Sequence, residues 1–125
     1  MKHIAKATLA CAAAITLAGC GHSHKAESTV KDFLEKNVSA SEYTVAFTKT
    51  DSTRHVTDSA VIEMRKDAER NPIFKKGIAY DSATVMPKKY VYTKAEICVG
   101  GDTIAHTFYL NPEENRIVAF KRQNY

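Results

Sequence analysis

The chain has 125 residues, with 18 lysine or arginine residues, 14 aspartate or glutamate residues and a formal net charge of +4. This length accommodates one domain with one hydrophobic core, and so small a net charge gives no support to nucleic-acid binding. No GxGxxG, GxSxG, HExxH or CxxC pattern occurs in it. The residues required for common cofactor, hydrolase, metalloprotease and redox chemistry are therefore absent, and we expect neither an enzyme nor a cofactor or metal site.

The first 20 residues combine a basic start, a short apolar segment and a cysteine. Lys2 and Lys6 supply the basic start and precede an apolar stretch at 7–18. This stretch has the length of a secretory signal core and is shorter than the ~20 residues that span a bilayer. Leu17-Ala18-Gly19-Cys20 resembles the lipobox of bacterial lipoproteins. That resemblance implies cleavage before Cys20, a lipid on its sulfur and an acyl chain such as palmitate on its amine. An ordinary signal peptide without lipidation is the alternative.

The lipobox divides the chain into three parts. We expect a signal peptide at 1–19, a lipidated cysteine with a flexible polar tether at 20–27, and one domain at 28–125. Enterobacterial lipoproteins kept at the inner membrane carry an aspartate after the cysteine, whereas this chain has Gly21. The resemblance therefore implies a cell-envelope protein held in the outer membrane by its lipid, which contributes the membrane contact.

The chain contains three cysteines. If Cys11 leaves with the signal peptide and Cys20 carries lipid, Cys98 has no intramolecular partner. We therefore expect Cys98 to be a small buried side chain, and we expect packing alone to stabilise the domain.

Two amphipathic helices are predicted, one on each side of a strand. Thr29 followed by Asp32 resembles a capping box and starts a helix that ends near Asn37. The alternation of apolar and polar residues over 43–48 predicts a half-buried strand. A second helix begins at Thr57 or Asp58 and runs to about residue 70. The apolar residues at helical spacing are Val30, Phe33, Leu34 and Val38 in the first helix and Val61, Met64 and Ala68 in the second.

The last third of the chain predicts a hairpin and one further strand. A two-residue Gly100-Gly101 turn fixes the register of the hairpin. Residues 111–115 then form a loop before a strand at 116–122. The expected cross-strand pairs are Val99 with Asp102, Ile97 with Ile104, Ala95 with His106, Thr93 with Phe108 and Val91 with Leu110. The expected core is Phe33, Leu34, Val45, Phe47, Ile97, Ile104, Phe108, Val118 and Phe120.

Together these elements predict an α+β fold, in which two helices pack on an antiparallel sheet of about four strands. This arrangement resembles the cystatin-like group and its ketosteroid-isomerase-like relatives. Segments 30–34, 107–110 and 118–121 are also similar to small periplasmic lipoproteins of unknown function. The resemblance implies a single cystatin-like domain and does not identify a ligand.

The sheet face opposite the expected core carries several aromatic residues. Strand alternation places Tyr90, Tyr92, Tyr109 and Ile117 there, and Tyr92 lies directly opposite Tyr109. Tyrosines offer contact area with a polar tip, so this face is a candidate surface for a protein partner or a second copy of the chain. We expect a non-catalytic binding or assembly module. In the alternative interpretation, the second helix covers this face.

His106 is the basis of the alternative function. It is the only imidazole predicted to lie on the core side of the sheet, where a small ketosteroid-isomerase-like enzyme or a ligand-binding pocket would need an acid or base. No carboxylate is placed to orient it. The simpler interpretation is a half-buried histidine bonded to a backbone carbonyl.

Four Asp-Ser or Asp-Thr steps resemble the O-glycan acceptor motif of exported proteins in some anaerobic bacteria. The candidate acceptors are Ser52, Ser59, Ser82 and Thr103. Ordinary turn and helix-cap chemistry explains the same dipeptides equally, since aspartate followed by a hydroxyl residue is favoured there.

Overall fold

The computed structural model describes residues 24–80 and 89–123. These residues form two helices and four strands. The strands make one antiparallel sheet in the order β1-β2-β3-β4, so the predicted α+β class is confirmed. The elements in chain order are α1 (His24–Asn37), β1 (Thr44–Thr53), α2 (Asp58–Ala68), β2 (Tyr90–Val99), β3 (Asp102–Leu110) and β4 (Ile117–Arg122).

The β2–β3 hairpin has the predicted register at every expected pair, from Val99 with Asp102 to Val91 with Leu110. Gly100 and Gly101 form the turn with φ values of 61° and 92°. Only glycine adopts such values readily, and a turn of this hand matches the twist of the two strands. The turn chemistry therefore fixes which side chains share a face.

Helix α1 packs on one face of the sheet and forms the larger core. Val30 and Leu34 are fully buried, and Phe33 contacts the rings of Phe108 and Phe120 edge-on at 6.1 and 5.7 Å. Expected core residues at the margin are less enclosed, because Val45, Phe47 and Ile104 retain partial exposure.

Helix α1 begins at His24, earlier than the sequence predicted. Residues 24–27, expected to belong to the flexible tether, are helical, and Ala26 is fully buried in the α1 core. Thr29 does not cap the helix; its hydroxyl donates a 2.7 Å hydrogen bond to the carbonyl of Glu114 in the β3–β4 loop. The capping pattern therefore gave the wrong helix start.

Helix α2 covers part of the opposite sheet face. Thr57 caps it as predicted, its hydroxyl accepting a 3.1 Å hydrogen bond from the Ala60 amide. Arg65 fixes the helix to β4 by donating from Nε to the Val118 carbonyl at 3.0 Å. The small core beneath the helix contains Val61, Met64, Tyr90, Val118 and Ala119.

A bulge in β4 changes the predicted faces of two residues. Ala119 lies opposite Tyr109, but Ile117 lies opposite Leu110, so Val118 is an extra residue between the two pairs. Val118 consequently packs under α2 and Ile117 packs in the α1 core. The predicted assignment of Val118 to the α1 core and of Ile117 to the opposite face is wrong, because strict alternation does not allow for an inserted residue.

Cys98 is buried in β2 and is disulfide-bonded. This contradicts the expectation that it has no intramolecular partner. The partner lies outside the described residues, as do both other cysteines, Cys11 and Cys20. A disulfide at Cys20 and a lipid on its sulfur exclude each other because both use the same atom.

Candidate functional site

Two of the predicted binding residues lie side by side on the sheet face opposite α1. Tyr92 in β2 and Tyr109 in β3 are directly opposed, with ring centroids 6.2 Å apart and planes tilted by 51°. Both side chains are half-buried. We call this pair, with its flanking Lys94 and Lys121, the tyrosine surface.

A shallow depression of about 190 Å³ lies at the tyrosine surface. Its lining contains two lysines and no carboxylate. Burial, and secondarily the neighbouring Tyr92, raise the pKa of Tyr109, so its hydroxyl remains a hydrogen-bond donor at neutral pH. The depression therefore presents aromatic contact area beside cations and donors. The lining residues are Thr53, Tyr92, Lys94, Thr107, Tyr109, Lys121 and Gln123.

The other two predicted binding residues do not belong to this surface. Tyr90 is fully buried beneath α2, and Ile117 is 5% exposed in the α1 core. Their assignment to an accessible binding face is therefore wrong. Helix α2 covers Tyr90, and Tyr109 packs against the small core beneath this helix, whereas Tyr92 retains partial exposure. The expectation that the second helix covers this face is therefore correct for part of it.

His106 is enclosed in the α1 core. Its side chain is fully buried and contacts the rings of Phe74, Phe108 and Phe120. It lines neither the depression at the tyrosine surface nor the larger groove described below. The expected hydrogen bond to a backbone carbonyl is confirmed, although the histidine is more deeply buried than predicted.

Both ring nitrogens of His106 have partners. Nδ1 lies 3.1 Å from the Ile104 carbonyl oxygen, and Nε2 lies 3.0 Å from Nδ2 of Asn71. The neutral tautomer with its proton on Nδ1 satisfies both contacts, by donating to the carbonyl and accepting from the amide. Burial lowers the pKa of His106 to about 4, against a smaller opposing effect of the Ile104 carbonyl. The ring is therefore neutral at pH 7 and holds a structural position.

The sequence did not predict a groove of about 540 Å³ between α1 and the β3–β4 loop. Phe33 and Tyr80 contribute aromatic surface to it, with ring centroids 6.2 Å apart. Burial, followed by Glu69, raises the pKa of Tyr80 to about 12, while the guanidinium of Arg65, 4.9 Å above the ring, lowers it. The lining residues are Thr29, Asp32, Phe33, Lys36, Asn37, Ala79, Tyr80, Asn115, Arg116 and Ile117.

The candidate O-glycan acceptors occupy different positions. Ser52 lies exposed on β1, Ser59 lies exposed in the first turn of α2, and Thr103 lies exposed near the start of β3. Ser82 and the predicted lipidation site, Cys20, lie outside the described residues.

Within residues 24–80 and 89–123, no group of three or more His, Cys, Asp and Glu side chains is placed to hold a metal ion. The same residues contain no helix that is long and apolar enough to cross a membrane.

Comparison with known proteins identifies no matching family, no similar curated protein and no similar solved structure. The function of this protein must therefore be inferred from the residues of its own chain.

Proposed function

We propose that this protein is a lipid-anchored protein of the cell envelope, held in the outer membrane, whose domain binds a partner through the tyrosine surface without catalysing a reaction. The observation that carries the proposal is the Tyr92–Tyr109 pair, whose rings remain half-exposed although Tyr109 also packs against the small core beneath α2. A sheet face with no role in recognition would be expected to present more polar side chains to water.

The tyrosine pair has properties that favour binding. Tyrosine supplies a large contact area for only two rotatable side-chain bonds, and interface free energy concentrates in such residues. Tyr92 and Tyr109 lie on paired strands in the middle of the sheet, so the backbone beneath them is held on both sides. Little conformational entropy is therefore lost when a partner binds.

The flanking charges indicate the chemistry of the partner. Lys94 and Lys121 line the depression beside the two rings, and no carboxylate lines it. A partner that places an anionic or strongly hydrogen-bonding group between the lysines, and a flat apolar group on the rings, is complementary to this surface. We therefore propose a protein partner that carries an acidic side chain at the centre of its contact.

The proposed lipid anchor would hold the surface close to the membrane. Only residues 21–23 separate Cys20 from His24, where α1 begins. Even a fully extended chain covers no more than about 3.6 Å per residue, so the start of α1 would lie within about 15 Å of the lipidated cysteine. This short reach supports a partner that is itself in or next to the same membrane.

Replacing Tyr92 with serine tests the binding proposal. The matched control is Tyr43→Ser, because Tyr43 is also half-buried but packs against the α1 core. Tyr92→Ser should reduce recovery of the copurifying partner from solubilised envelopes at least tenfold, with the unfolding midpoint close to wild type. Equal recovery with wild type and both variants would overturn the proposal.

A further inference from the structure

Strand β1 forms an edge of the sheet. Among the described residues, β2 is the only strand that pairs with it. The strand has ten residues and contains neither proline nor glycine, and its side chains from 48 to 52 are mostly exposed. An edge of this length offers backbone groups to another strand. In the unpaired edge the Ser52 amide donates a 2.8 Å hydrogen bond to the Asp51 carboxylate, which pairing would replace. A bulge between Phe47 and Lys49 divides the strand into two regular parts, 44–47 and 49–53, and the second part carries the exposed charges.

The charges on this part of β1 are not balanced within the described domain. Lys49 lies directly opposite Lys94 of β2, and like charges in opposed positions repel. Asp51 lies opposite Tyr92. Neither Lys49 nor Asp51 forms a salt bridge with a residue in 24–80 or 89–123. A strand that places a carboxylate beside Lys49 and an ammonium group beside Asp51 would complement the edge.

Strand β1 itself has that pattern. We propose that the β1 strands of two copies pair antiparallel about a two-fold axis at Thr50 and form a homodimer with one continuous sheet. Lys49 of each copy then lies opposite Asp51 of the other, which gives two complementary charge pairs. If the register between the two copies shifts by two residues in one direction, Lys49 of one copy lies opposite Lys49 of the other. If it shifts by two residues in the other direction, the two copies of Asp51 lie opposite each other. Charge therefore selects this register over its neighbours on the same face.

The dimer has two structural consequences. A two-fold axis perpendicular to the sheet places the tyrosine surfaces of both copies on the same side. The paired edges then adjoin these surfaces, because Thr53 lines the depression and Asp51 lies opposite Tyr92. Ser52 belongs to the paired edge and is exposed. An O-glycan at Ser52 and pairing at this edge would therefore exclude each other.

Charge reversal tests the register. Lys49→Glu and Asp51→Lys each create two repulsive pairs in a dimer of the variant with itself, whereas a dimer of one variant with the other has two attractive pairs. Lys75→Glu is the control, because Lys75 is exposed and lies outside the sheet. The full chain is purified in detergent from a bacterial host without O-glycosylation, and its mass is measured by sedimentation equilibrium over a concentration series.

We expect wild type and Lys75→Glu to dimerise, each edge variant alone to dimerise at least tenfold more weakly, and an equimolar mixture of the two edge variants to recover the dimer. The edge dimer is overturned if the wild type remains monomeric, or if the mixture dimerises no more strongly than each edge variant alone. Dimers that survive both edge changes but are lost in Tyr92→Ser would instead assign self-association to the tyrosine surface. Loss of partner binding in Tyr92→Ser with the edge dimer intact separates the two proposals.

Discussion

The buried His106 makes the stability of the domain depend on pH. Its pKa is about 4 in the folded protein, against 6.5 for an ordinary histidine. Between these values the unfolded chain binds a proton that the folded chain does not, so folding stability falls as the pH falls from about 6.5 towards 4. A difference of this size corresponds to about 3 kcal/mol in total, and about 2 kcal/mol of it should be lost between pH 7 and pH 4.5.

Replacing His106 with glutamine removes this contribution. The free energy of unfolding in urea is measured at pH 4.5, 5.5 and 7 for wild type, His106→Gln and the control His55→Gln, which removes an exposed imidazole. Wild type and His55→Gln should lose about 2 kcal/mol more than His106→Gln on acidification. If all three lose the same amount, His106 can be protonated in the folded protein and must be accessible to water. That result would refute its structural role and restore the enzyme interpretation.

Two further changes test the core and the anchor. Phe108→Ala removes a fully buried ring that stacks on Phe120 at 5.3 Å, and it should cost about 3 to 5 kcal/mol in denaturant unfolding; a loss below about 1 kcal/mol would contradict the observed packing. Cys20→Ser should abolish incorporation of a fatty-acid analogue and release the protein from membranes. Incorporation that survives Cys20→Ser would contradict lipidation at Cys20.

The hairpin was predictable because one local feature determines it. The Gly100–Gly101 turn fixes the register, and the register fixes which residues of β2 and β3 share a face. The bulge at Val118 was not predictable, because a strand with one extra residue has the same composition as a regular one. The start of α1 was missed for a related reason. Ala26 is buried by tertiary packing, which the capping pattern around Thr29 does not encode.

The candidate site was predicted in part. The opposition of Tyr92 and Tyr109 followed from the hairpin register, whereas the burial of Tyr90 depends on where α2 docks, which no local pattern specifies. The enclosure of His106 depends on Phe74 and Asn71, which lie between the second helix and the hairpin, where the sequence predicted no element. Which of the predicted residues are accessible and which are buried therefore depends on contacts between segments that are distant in the sequence.

Photo-cross-linking in intact cells tests the proposed binding surface most directly. A photoreactive phenylalanine analogue is placed at position 92, and separately at position 62, where Ile62 is an exposed apolar side chain on α2 with 54% exposure. We predict a discrete cross-linked species with one envelope protein from position 92 and none from position 62. No adduct at position 92, or the same adducts from both positions, would contradict binding through the tyrosine surface.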